Sequence, residues 1–70
     1  MKRRIKIQTT DNDIYHKLSM LNIVNEVVVQ DNKSIKKILK NIIALEGEPL
    51  SNGKMLVRKK MPVNLDIYFR

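Results

Sequence analysis

Ile35, Ile38, Leu39, Ile42 and Ile43 recur at positions i, i+3, i+4, i+7 and i+8. Side chains at that spacing share one face of an α-helix, and no strand register puts all five on one side. The chain therefore needs at least one helix with an aliphatic face turned to a core. Ser34 is the candidate N-cap, since its hydroxyl can accept from a free backbone N–H. Leu45 extends the apolar edge, and Glu46 falls on the same face one turn further on. Gly47 is placed to end the helix, because glycine enters the left-handed region without penalty. Ile38 and Ile42 are then expected in the core.

The ends of the chain follow a period of two. Arg3, Ile5, Ile7 and Thr9 alternate with Lys2, Arg4, Lys6 and Gln8, and Val63, Leu65, Ile67 and Phe69 alternate with Asn64, Asp66, Tyr68 and Arg70. Such alternation reads as two half-buried strands, with Phe69 on the apolar side. After the first strand, Thr10-Asp11-Asn12-Asp13 resembles a helix start, with Thr10 or Asp11 as cap. Ile14, Leu18 and Leu21 continue it, and Asn22 or Asn25 is a candidate end. Val27-Val28-Val29 reads as a short buried strand, and Asp31-Asn32 as the next turn. Pro49 and Ser51-Asn52-Gly53 mark a loop, in which Asn-Gly suits a two-residue hairpin turn. Lys54 to Lys60 reads as a further strand, interrupted by Pro62. The expectation is one small α+β domain over residues 1–70 in the order β-α-β-α-β-β, with an antiparallel sheet and two helices packed on one face.

Composition bounds the function. Seventy residues leave room for one core, and a chain of that size buries only about 60% of its unfolded surface. Self-association, as a dimer, is expected to complete it. There is no cysteine and only one histidine, which excludes disulfides, thiolate metal sites and multi-histidine metal sites. No cofactor is expected. The basic start is not followed by an apolar stretch, so it does not read as a secretory signal. The longest aliphatic runs fall far short of a membrane span of about 20 residues, and the cytoplasm is the expected compartment.

Fourteen Lys and Arg face seven Asp and Glu, for a formal charge of +7. Eleven of the fourteen lie in three clusters: Lys2, Arg3, Arg4 and Lys6; Lys33, Lys36, Lys37 and Lys40; and Arg58, Lys59 and Lys60. The second cluster sits opposite the Ile/Leu stripe and crowds the positive end of its own helix, which opposes the helix dipole. No acid stands three or four residues away within that helix. The first cluster is a basic strand face or arm. The third, with Lys54 nearby, is expected in a hairpin that can reach a DNA groove as a wing or ribbon. Each also has a plain alternative, namely a solubilising lysine face, a charged terminus or a strand edge protected from aggregation. If the fold gathers at least two clusters on one side, the result is the electrostatic footprint of a nucleic-acid binder.

Tyr15, Tyr68 and Phe69 are the only aromatics. Single-strand binders stack bases on several exposed rings, so duplex DNA bound through its phosphates is the expected partner. Such a protein fits an accessory or regulatory role of the kind carried by phages and mobile elements. The alternative is an interaction module that docks on an acidic protein partner, with the last strand pairing at its edge. An enzyme is not expected: His16 is the only general base of its kind and has no evident partner.

Overall fold

A computed structural model of the protein describes residues 3–70, with the side chain of Arg3 outside the description. Its elements are β1 (Arg3–Thr9), α1 (Asn12–Met20), β2 (Glu26–Gln30), α2 (Lys33–Asn41), β3 (Leu45–Pro49), β4 (Lys54–Lys59) and β5 (Val63–Phe69). The α+β class and the β-α-β-α-β-β order stand, with one strand, β3, added between α2 and β4.

That strand replaces the end of the expected helix. α2 stops at Asn41, and Ile42 is already extended at φ −121° and ψ 100°. Ile43 turns to solvent at 80% exposure, whereas Ala44 and Leu45 are buried. The helical spacing of Ile42 and Ile43 is a local signal, and pairing of Leu45–Pro49 with β4 overrides it. Both are β-branched and suit extended backbone. Gly47 is accordingly not a helix terminator. It lies in β3 opposite Val57, and a Cβ there would meet Leu39 Cδ1 at 2.5 Å and Met55 Sδ at 2.6 Å. The missing side chain is what lets α2 lie close on the sheet. The cap of α2 is Asn32, whose Oδ1 accepts from Ile35 N at 3.0 Å, not Ser34.

The expected antiparallel sheet has the order β2-β4-β3. β3 and β4 join through Ser51-Asn52-Gly53, with Leu50 N donating to Lys54 O at 2.8 Å. Among the described residues only Gly53 has positive φ, at 68°. The loop is therefore a three-residue connection with glycine at its left-handed position, not the two-residue turn that Asn-Gly suggests. β4 is the middle strand, so it is neither a wing nor a protected edge.

The two alternating segments pair with each other. β1 and β5 run parallel as a separate two-stranded sheet, with Ile5 opposite Leu65 and Ile7 opposite Ile67. α1 packs on β5, β1 and β2 and so bridges the two sheets. Its Ile14 and Leu18, with Leu21 just beyond, are fully buried beside Ile35, Val57 and Val63. Ile38 and Ile42 are only partly buried at the margin of this core. Val28 faces outward from β2, between buried Val27 and Val29. Phe69 is also a correction: it is 51% exposed and lies edge-on to Tyr15, with ring centroids 5.6 Å apart. Among the described residues, no helix is long and apolar enough to cross a membrane.

Candidate nucleic-acid interface

Two helix caps fix the ground on which the cations stand. Asp11 Oδ1 accepts from Asp13 N at 2.9 Å and from Ile14 N at 3.2 Å, as an N-cap does. Its other oxygen accepts from Asn32 Nδ2 at 3.4 Å. Asn32 caps α2, so one carboxylate links the starts of both helices. Thr9 Oγ1 accepts from Asp11 N at 3.1 Å and ties this junction to the end of β1. α2 is thereby anchored beside β1 at one end, while Leu39 over Gly47 seats it on β3.

Between α2 and β1 runs a groove of about 530 Å³, open to solvent. Its apolar lining comes from Ile5, Ile7, Ile38 and Ile42. Lys6, Lys37 and Arg70 add three cations, so the first two clusters of the sequence meet here together with an arginine outside all three. A second groove continues past Ile5 and Ile42 to Arg4, Ile43 and Met61. The exposed face of α2 carries Lys33, Lys37 and Lys40 at i, i+4 and i+7, one stripe of the helix.

The remaining expected residues divide by their partners. Arg4 Nε lies 3.3 Å from Asp66 on the neighbouring strand. Lys36 Nζ lies 3.5 Å from Asp31, an acid placed before the helix and not within it. Arg58 Nη2 donates to Glu48 at 2.7 Å and its Nε lies 3.6 Å from Glu46, both on β3. Arg58 alone of the third cluster is thus locally offset, by two acids of the neighbouring strand. Lys59 and Lys60 border a separate hollow with Asn25 and Pro62. Lys6, Lys33, Lys37, Lys40 and Arg70 have no acidic partner within ion-pair distance among the described residues, and neither do Lys17, Lys54, Lys59 and Lys60, which lie away from this groove. Lys2 and the side chain of Arg3 lie outside the described residues.

Arg70 is a residue that the reading of clusters missed. Its guanidinium donates to Gln8 Oε1 from Nη1 and Nε, both at 3.3 Å, with the Gln8 amide turned so that its oxygen faces the arginine. The parallel pairing of β1 and β5 brings them together, and Gln8 lies opposite Tyr68. Asn22 is a second. Its Nδ2 donates to Leu65 O at 2.9 Å, and its Oδ1 accepts from Leu65 N at 2.8 Å. The outer edge of β5 is therefore closed at Leu65 to the partner strand that the sequence leaves open. His16 is exposed and packs edge-on against the Tyr15 ring at 5.3 Å. Among the described residues no three His, Asp or Glu side chains gather as a metal site would require.

No protein-family model, curated protein or solved structure matches this chain.

Proposed function

We propose that this protein binds duplex nucleic acid, with DNA the first choice, through phosphate contacts from α2, β1 and Arg70. The supporting observation is that Lys6, Lys37 and Arg70 border one groove, next to Lys33 and Lys40 on the exposed stripe of α2. None of the five has an acidic partner among the described residues, a freedom shared by Lys17, Lys54, Lys59 and Lys60, so it is the common groove and stripe that single them out. Cations that are not neutralised within the fold are available to replace the counterions of a phosphate backbone. Arg4, Lys36 and Arg58 each face a carboxylate and contribute less.

Duplex is preferred to single strand because the aromatic surface is small. Phe69 and Tyr15 lean on each other, which leaves Tyr68 as the one aromatic without a ring neighbour. A track of stacked bases needs more than one platform. The proposed role is binding without chemistry, as an accessory or regulatory factor working where DNA is, which in a phage or mobile-element setting is the cytoplasm.

The test is charge reversal at positions that carry no core contact. Lys33→Glu with Lys37→Glu is expected to leave the circular dichroism spectrum unchanged and to weaken duplex binding about tenfold or more in a gel shift. Lys36 is left out of the variant, since a glutamate there would face Asp31. Unchanged affinity would remove α2 from the interface.

A further inference from the structure

β1 has a neighbour on one side only. Among the described residues its sheet consists of β1 and β5, and across the other edge lies the groove that α2 borders. Which backbone groups face that groove follows from the ladder. Arg70 N donates to Thr9 O at 3.0 Å, in the register that sets Thr9 opposite Phe69. In a parallel ladder alternate residues direct both their N–H and C=O to the same neighbour. Thr9, Ile7 and Ile5 therefore face β5, while Gln8 and Lys6 direct their backbone N–H and C=O groups to the groove. β5 obeys the same alternation: Leu65 points away from β1, and its N–H and C=O are taken by the Asn22 side chain. Among the described residues β1 has no such plug at Lys6 or Gln8. It presents a row of free backbone groups, which is what strand addition uses.

The side chains define the missing strand. Ile5 and Ile7 lie on the inward face of β1 and line the groove with Ile38 and Ile42 of α2, while Arg4 and Lys6 alternate with them on the exposed face, where Lys6 stands at the rim of the same groove. A strand laid along β1 places alternate side chains on these two faces. One set must be aliphatic and the other must tolerate Lys6 and its surroundings, with Lys37 and Arg70 near the same groove. A second copy of this chain fits poorly, because pairing β1 with itself would bring cationic faces into register, and like charges across a ladder are destabilising.

We infer that the open edge of β1 receives an extended segment of a partner protein in which acidic and aliphatic residues alternate. This edge shares Lys6, Lys37 and Arg70 with the proposed duplex contact, so peptide and duplex compete for it, but the inference itself rests on the open backbone ladder of β1 and not on the duplex reading. The probe is a short synthetic peptide alternating glutamate and valine, with an alternating lysine and valine peptide as control. Two further versions carry backbone N-methyl groups, one on every glutamate and the other on every valine.

The Glu/Val peptide is expected to bind and to slow amide hydrogen exchange at Lys6 and Gln8, and the lysine version is expected to do neither. One N-methylated version should lose about tenfold or more in affinity, since several ladder hydrogen bonds vanish together, while the other retains binding. Which of them fails reports the direction of the added strand. Equal behaviour of the two would overturn strand addition, and so would binding that leaves Lys6 and Gln8 exchange unchanged. Protection of the same amides by rising protein concentration alone would assign the edge to a second copy. Their protection by duplex DNA alone would assign it to nucleic acid.

Discussion

Helices α1 and α2 are both nine residues long, and each is capped by an Asx side chain, Asp11 for α1 and Asn32 for α2. Their surroundings differ. α1 touches three strands across both sheets and buries Ile14 and Leu18 completely, with Asp13 in its first turn and Lys17 in its last, as the helix dipole favours. α2 leans mainly on β3, fully buries only Ile35, and has lysines where acids would stabilise its first turn. One helix is arranged for stability. The other gives up local electrostatic stability and holds a row of cations outward, and the proposed duplex contact draws on that departure from the stable arrangement.

The contrast can be broken most sharply in the core. Leu18→Ala is expected to cost about 2–5 kcal/mol, enough to unfold much of so small a domain. Ile38→Ala, at a half-buried position, should cost about 1–2 kcal/mol, because less surface is withdrawn from water there. Urea denaturation of both variants checks this, and equal losses would erase the distinction between the helices. Next in size, Asn22→Ala removes both hydrogen bonds to Leu65 and should destabilise by about 1–2 kcal/mol.

The caps sharpen the comparison further. Asp11→Ala is expected to lower stability by about 1–2 kcal/mol, more than Asn32→Ala at about 0.5–1 kcal/mol, because Asp11 satisfies two backbone N–H groups and also holds Asn32. Thermal melts of the two variants would show the order. The smallest effect concerns sign. Lys33→Glu puts an acid at the start of α2 and should raise stability by about 0.3–1 kcal/mol, whereas Asp13→Lys in α1 should lower it by a similar amount. A loss of stability in both would mean that Lys33 serves the fold.

What the sequence reveals is what local chemistry decides. Asp11 is legible as a cap because an aspartate before an apolar 3.6-residue period has few other roles. The alternation in β1 and β5 is legible because each has one face in the core. The end of α2 is not, since Ile42 and Ile43 fit a helix until β4 offers Leu45–Pro49 a ladder. The choice of partner strands is set by contacts between distant segments, so the parallel union of β1 and β5 leaves no local trace. The site divides in the same way. The α2 lysine stripe can be read directly from its spacing, but the neutralisation of Arg58 by Glu46 and Glu48 depends on a strand that the periodicity conceals. The recruitment of Arg70 depends on β5 lying beside β1. Phe69 alternates correctly for a core residue, yet the sheet it belongs to has only two strands and does not cover it.

The proposed duplex contact draws on five cations, Lys6, Lys37 and Arg70 at one groove and Lys33 and Lys40 on the adjoining stripe of α2. A salt titration of binding to a short DNA duplex measures their number directly, since each phosphate contact contributes about −0.9 to the slope of log affinity against log salt. The expected slope is about −4 to −5 for the wild-type chain, falling by about 2 in the Lys33→Glu, Lys37→Glu variant. Failure to bind duplex at low ionic strength, or a slope that the double reversal leaves unchanged, would contradict it.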